Sequence, residues 1–185
     1  MADTEQVKDP VSSYNKTRRF GFLLVPTAAY ALFLCYQNIT RLRVYEAQSE
    51  KAAKWSSTAA ERLRKTRTTQ AGATIAILLS LVSSTLLYIP SLQAYRLPVG
   101  ITNAVLLAAS RYHFGNFWNA KNQVQVPFVE KFNEAVRGSE DVRKMLGILA
   151  WAWSLITFDW AIGKGTGLEY VGTAILAVVA LRGWY

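Results

Sequence analysis

Ionisable residues inside apolar sequence are the first place to look for chemistry in this chain. Asp159 interrupts the apolar run 145–162, and His113, the only histidine, lies in the aromatic stretch 112–118. A carboxyl or imidazole group in an apolar pocket can act as a general acid or base, because burial changes its affinity for protons. Asp159 and His113 are therefore the candidate catalytic residues of a membrane-embedded enzyme acting on a lipophilic small molecule by acid/base chemistry.

A structural interpretation of Asp159 competes with the catalytic one. Lys164 and Glu169 follow shortly after it, around the turn sequence GKGTG at 163–167. Lys164 can reach either carboxylate and close the turn as an ion pair. Because Asp159 lies near the end of its apolar run, where a membrane segment meets water, we favour the ion pair of Asp159, Lys164 and Glu169 over catalysis.

The remaining motifs exclude most other chemistry. A single cysteine, Cys35, forms no disulfide framework and no thiolate zinc site, and one histidine makes no histidine metal cluster. The phosphate-binding, dinucleotide-binding, serine hydrolase and zinc protease motifs are missing. We therefore expect no metal and no cofactor. The main hypothesis is a small multi-pass membrane protein that acts as a non-enzymatic scaffold or accessory subunit.

The elements that must position these residues are five blocks of apolar sequence. The chain has 185 residues, of which 51% are hydrophobic and only 18% charged. The blocks are 20–36, 71–89, 97–110, 145–162 and 167–181. A spanning helix needs about 20 residues, so the first two blocks suffice and the others are short or interrupted. The sequence predicts an all-α integral membrane protein with four to five hydrophobic helices. A soluble bundle is disfavoured because block 71–89 has no polar face.

The domain organisation follows from the same blocks. Residues 1–19 form a polar tail, and 20–182 form a single helical membrane domain. The tail mixes acidic and basic residues, which is typical of neither a cleaved secretion signal nor a mitochondrial presequence. We expect a location in the endoplasmic reticulum or another internal membrane.

A basic stretch at 41–69 separates the first two blocks. No glycine or proline interrupts it, so we expect a cytosolic helix supported by the acid-first pairs Glu50–Lys54 and Glu61–Lys65. We expect its basic face to contact anionic lipids or partner proteins. No nucleic acid partner is expected, because membrane segments flank the stretch. Its eight basic residues are Arg41, Arg43, Lys51, Lys54, Arg62, Arg64, Lys65 and Arg67.

The basic residues also predict topology, since cytoplasmic loops carry the excess of lysine and arginine. The stretches 41–69 and 111–144 together hold fourteen of the 21 basic residues, so we expect both on the cytosolic side. Five crossings satisfy this rule. So does an arrangement in which 20–36 does not cross and 71–110 and 145–181 are shallow hairpins that enter and leave on one side. We favour crossing over the hairpins, although the short blocks 97–110 and 167–181 suit the hairpins.

A short amphipathic helix is predicted at 125–137. Phe128 and Phe132 lie on its apolar face, Gly138 is expected to end it, and Ser139 is expected to cap the next helix. Such a helix lies in the membrane interface or docks on a partner. The partner would be another protein or a second copy of this chain.

Overall fold

The structure, a computed structural model, describes residues 10–118 and 130–162, and every regular element in these residues is helical. The prediction of an all-α fold is confirmed for this part of the chain. Four long helices are present, α1 (Pro10–Ala53), α2 (Ser57–Leu86), α3 (Arg96–Phe117) and α4 (Glu130–Ile162). A 3-10 helix, Pro90–Tyr95, connects α2 to α3.

Local sequence explains where the helices break. Ser56 has an extended backbone, and its side chain accepts a hydrogen bond from the backbone N–H of Ala59, which caps the start of α2. After α2, Pro90 opens the 3-10 helix, and Ile89 before it is extended because proline disfavours a helical conformation in the preceding residue. These two short connections make α1 antiparallel to α2, and α2 antiparallel to α3.

The helices form an up–down–up–down four-helix bundle. Helix α1 packs against α2 and α4, and α3 packs against the same two, so α2 and α4 face each other across a diagonal. Gly100 of α3 lies against Thr157 of α4, whereas Gly115 lies against Arg143. The order of these contacts shows that α3 and α4 are antiparallel.

The surface of the bundle is apolar and its interior includes many small and polar side chains. On α1, Leu24, Ala28, Ala31 and Cys35 are fully buried at helical spacing. Several large apolar residues point outwards instead, namely Phe22, Phe33, Tyr36, Ile75, Val82, Ile101, Val105 and Trp151. A soluble bundle places polar residues on that outer surface, so the pattern suits a bundle surrounded by lipid.

Three helical segments are long and apolar enough to cross a membrane, Phe22–Arg43, Ser57–Leu86 and Asn133–Ile162. They contain residues 71–86 of the predicted block at 71–89, all of the block at 145–162 and most of the block at 20–36. The block at 97–110 lies within α3, which is not one of the three. The block at 167–181 lies outside the described residues, so four or five spanning helices remain a prediction.

Candidate functional site

The basic stretch at 41–69 is a helical hairpin and not the single helix expected from its sequence. It comprises the last part of α1, a turn at 54–56 and the first part of α2. Without glycine or proline, the break comes from Ser56, whose hydroxyl replaces a backbone partner at the start of α2. We call residues 41–69 the basic hairpin. Ala53 lies twelve residues beyond Arg41, or about 18 Å further along α1.

Ion pairs hold the two arms of the basic hairpin together. The guanidinium of Arg67 on α2 donates hydrogen bonds to the carboxylates of Glu46 and Glu50 on α1. The predicted pair Glu61–Lys65 is present, with 2.7 Å between Nζ and Oε1. The predicted pair of Glu50 with Lys54 is wrong. Glu50 bonds Arg67 instead, because the turn brings the second arm within its reach.

All three acidic residues of the basic hairpin take part in these ion pairs, but only two of its eight basic residues do. Arg41 pairs outside the hairpin, with Glu134 of α4, at 3.6 Å. The other five basic side chains are exposed and form no ion pair with any residue that the structure describes. They are Arg43, Lys51, Lys54, Arg62 and Arg64. Trp55, at the tip, is 91% exposed. The hairpin therefore presents a strongly positive surface with one large aromatic side chain.

The start of α4 packs beside the base of the basic hairpin, and here the sequence-based boundaries were wrong. Gly138 does not end a helix and Ser139 does not cap one, because both lie inside α4. Ser139 donates a hydrogen bond to the carbonyl of Ala135, 2.8 Å away, as a serine within a helix can. At Gly138, a Cβ atom would lie 2.9 Å from Asn38 Oδ1. The glycine thus allows α1 and α4 to approach closely.

A buried polar cluster, which we call the Ser139 cluster, connects α1, α2 and α4 near the base of the basic hairpin. Asn38 donates to the hydroxyl of Ser139 at 2.8 Å, and Gln70 donates to the same oxygen at 3.4 Å. At Thr69, the residue before Gln70, the side chain accepts a hydrogen bond of 3.0 Å from the indole of Trp118, which adds the end of α3. The cluster fixes which helix faces meet, because each of these buried donors needs its acceptor.

This cluster was not predicted from the sequence, although the helical spacing of apolar residues along α1 could have indicated part of it. Asn38 continues the buried spacing of Leu24, Ala28, Ala31 and Cys35 along α1, so its position predicts an inward side chain. The side-chain oxygens of Asn38 and Gln70 are buried, and no residue in the described part of the chain donates a hydrogen bond to them.

Only one of the two aromatic residues predicted on the amphipathic helix lies in the described part of the chain. Phe128 and the start of that helix lie outside the described residues. Phe132 lies in the first turn of α4, which runs without a break from Glu130 to Ile162. A separate helix ending at residue 137 is therefore wrong. The sequence around Gly138 resembles a cap, but packing against α1 stabilises the continuous helix.

The two candidate catalytic residues lie far apart. Asp159 is 5% exposed in the last turn of α4, whereas His113 is exposed on α3. Gly100 contacts Thr157 and Trp160, next to Asp159, and His113 lies thirteen residues further along α3, or about 20 Å. The two side chains cannot act together on one substrate. Lys164 and Glu169 lie outside the described residues, so their ion pair with Asp159 stays a prediction.

No three histidine, cysteine or acidic residues come together as a metal site within residues 10–118 and 130–162. Comparison with protein-family models, curated proteins and solved structures finds no match to the chain. The basic hairpin and the helices that support it remain as the candidate functional site.

Proposed function

We propose that the protein is a small multi-pass membrane protein that acts as a non-enzymatic scaffold or accessory subunit. Its basic hairpin would contact anionic lipid headgroups near its base and an acidic surface of a partner protein, or of a second copy, near its tip. The observation that carries the proposal is the set of five exposed cations left after the hairpin's three carboxylates are paired.

Electrostatics supports this use of the basic hairpin. Each lysine or arginine near an anionic membrane surface contributes about 1 kcal/mol, and salt weakens the attraction. Arg67 holds the two arms together, so the five cations are presented on an ordered element. The hairpin backbone then loses little conformational entropy when a partner binds to it.

The membrane placement rests on composition and on the outward apolar surface. Three helices are long and apolar enough to cross a bilayer. In this proposal α3 crosses beside them, and residues 167–181 supply a fifth hydrophobic helix. The positive-inside rule then places the basic hairpin and the start of α4 in the cytosol. An internal membrane such as the endoplasmic reticulum is the proposed compartment.

The enzyme alternative has no comparable support. Its two candidate groups are separated by about 20 Å along the bundle. The buried polar groups of α1, α2 and α4 bond one another around Ser139. Such bonds suit a rigid support for other molecules.

The test is affinity purification of the full chain in mild detergent from the cells that produce it, followed by quantitative mass spectrometry. Replacing Arg62 and Arg64 by Gln removes two exposed charges from the basic hairpin. We expect this variant to lose a partner that the unmodified chain retains in a fixed ratio. The matched control, Arg137→Gln with Lys144→Gln, removes two exposed charges from α4 and should retain it. Equal recovery with both variants would contradict the proposal.

A further inference from the structure

A cleft on the outer surface of the bundle between α3 and α4 combines a positive entrance with an apolar wall. Its volume is about 540 Å³, and none of its lining residues belongs to the basic hairpin or to the Ser139 cluster. Glycines and alanines line much of it, so the two helix backbones leave space between their larger side chains. A cleft of this size can hold part of a lipid-sized molecule.

Arg111 lies in this cleft because Gly147 makes room for it. A Cβ atom at Gly147 would lie 2.9 Å from Nε and 3.1 Å from Cζ of Arg111. The Arg111 side chain is exposed and forms no ion pair with the described residues. Its guanidinium therefore has free hydrogen-bond donors that face the cleft.

A second arginine at the entrance differs from Arg111 in its partner. Arg143 bonds both carboxylate oxygens of Glu140, at 2.9 and 2.6 Å, and its aliphatic part crosses Gly115. That pair is close to neutral, so the charge that a ligand meets comes from Arg111. The cleft is therefore complementary to a single anionic group.

In the proposed membrane placement, Arg111 lies at the depth where the lipid headgroups meet the acyl chains. Arg143 and Lys144 are the last charged residues of α4 before the apolar run that starts at Met145. Gly147 lies three residues beyond Lys144, about 4.5 Å deeper. From there the cleft extends to Ser154 and passes Trp151, whose side chain is 66% exposed. Aromatic side chains are typical of this depth in membrane proteins.

We propose that the cleft between α3 and α4 is a binding site for one anionic glycerophospholipid. The Arg111 guanidinium would bind two oxygens of the headgroup phosphate, a geometry that arginine favours. An acyl chain would then lie along Ala150 and Trp151. The site depends on the membrane placement in the proposed function but not on the basic hairpin, which lies elsewhere on the bundle.

The test uses the full chain, purified in detergent and stripped of lipid. It is incubated with equal amounts of phosphatidylglycerol and phosphatidylcholine carrying identical acyl chains, and bound lipid is counted by native mass spectrometry. We expect one phosphatidylglycerol per chain. Arg111→Gln should lower its retention about tenfold or more, because a charged bidentate contact is lost. Arg137→Gln makes the same charge change at an exposed position of α4 that does not line the cleft, and it should retain the lipid.

Gly147→Ala provides a second variant that leaves every charge in place. Its methyl group would displace the flexible end of Arg111, so we expect a loss of phosphatidylglycerol similar to that of Arg111→Gln. Gly72→Ala is the control, because nothing lies within 4 Å of a Cβ there. Circular dichroism and gel filtration of all variants should match those of the unmodified chain.

Four results would overturn the site. These are equal retention of both lipids, full retention by Arg111→Gln, full retention by Gly147→Ala, and displacement of the lipid by millimolar inorganic phosphate alone. If a protein segment fills the cleft instead, the two lipids should be retained equally, because neither can enter the site. Alkaline carbonate extraction separates this failure from failure of the proposed function. A chain released from membranes contradicts both proposals, whereas a retained chain without selective lipid binding contradicts only the site.

Discussion

The indole N–H of Trp153 donates a hydrogen bond of 2.8 Å to the hydroxyl of Ser80. Both side chains are fully buried, and the bond connects α4 with α2 across the diagonal of the bundle. Diagonal helices otherwise have few contacts in a four-helix bundle. The pair therefore sets the rotation of α2 and α4 relative to each other.

We expect Ser80→Ala to lower the free energy of unfolding in detergent by about 1–2 kcal/mol, because it leaves the indole buried without an acceptor. The double variant with Trp153→Phe should be less destabilised than the sum of the single variants, since the two residues are coupled. Thermal or denaturant unfolding followed by circular dichroism measures both. Ser83→Ala, also in α2 and only partly buried, should change stability by a few tenths of a kcal/mol. Additive single effects would show that the bond contributes nothing.

At Gly100, α3 and α4 approach each other closely. A Cβ atom there would overlap the hydroxyl of Thr157 and lie 3.3 Å from the ring of Trp160. We expect Gly100→Val to destabilise the protein by about 1–3 kcal/mol, because these packed side chains must move. Gly72→Val, where a Cβ meets open space, should be close to neutral. Equal melting temperatures for the two variants would contradict this packing.

The Ser139 cluster gives a prediction about paired polar groups. Ser139→Ala removes the acceptor of both Asn38 and Gln70 and should cost about 1–3 kcal/mol. Adding Asn38→Leu should recover part of this loss, because one buried donor is then removed with its acceptor. Ser154→Ala on the exposed face of the same helix is the control and should change little. Failure of Asn38→Leu to restore stability would indicate that Asn38 packs by shape alone.

The arrangement of the bundle predicts which residues share a side of the membrane. Ser57 in the basic hairpin and Asp141 at the start of α4 lie towards one end, whereas Ser91 lies in the connection between α2 and α3 at the other. Each would be replaced by cysteine, one at a time, in a Cys35→Ala background. The Ser57→Cys and Asp141→Cys variants should both react with an impermeant maleimide added to the cytosolic side.

The replacement at Ser91 distinguishes the two topologies. If the helices cross the membrane, it should react only from the opposite side. If α2 and α3 form a shallow hairpin, it should be protected from that side. Opposite labelling of the replacements at Ser57 and Asp141 would contradict both arrangements.

Composition predicted the helical class and the membrane placement because it reports directly on the surrounding solvent. A run such as 71–89 contains no charge, and a helix satisfies the backbone hydrogen bonds of so apolar a segment within the segment itself. Potential helix-capping residues predicted the helix boundaries less well. Ser56 and Ser139 both precede residues with helical preference, yet only Ser56 begins a helix. Whether a serine caps or lies inside a helix depends on what the following turns pack against.

By itself, the sequence determined the helical class and the concentration of positive charge in 41–69 and 111–144. The tertiary structure decided the pairings. It showed that Arg67 reaches Glu50, that Asn38 meets Ser139, and that Gly147 makes room for Arg111. The reason is physical. Local sequence controls hydropathy and backbone preference over a few residues, whereas these contacts join residues 17 to 101 positions apart, and only the packing of whole helices brings them together.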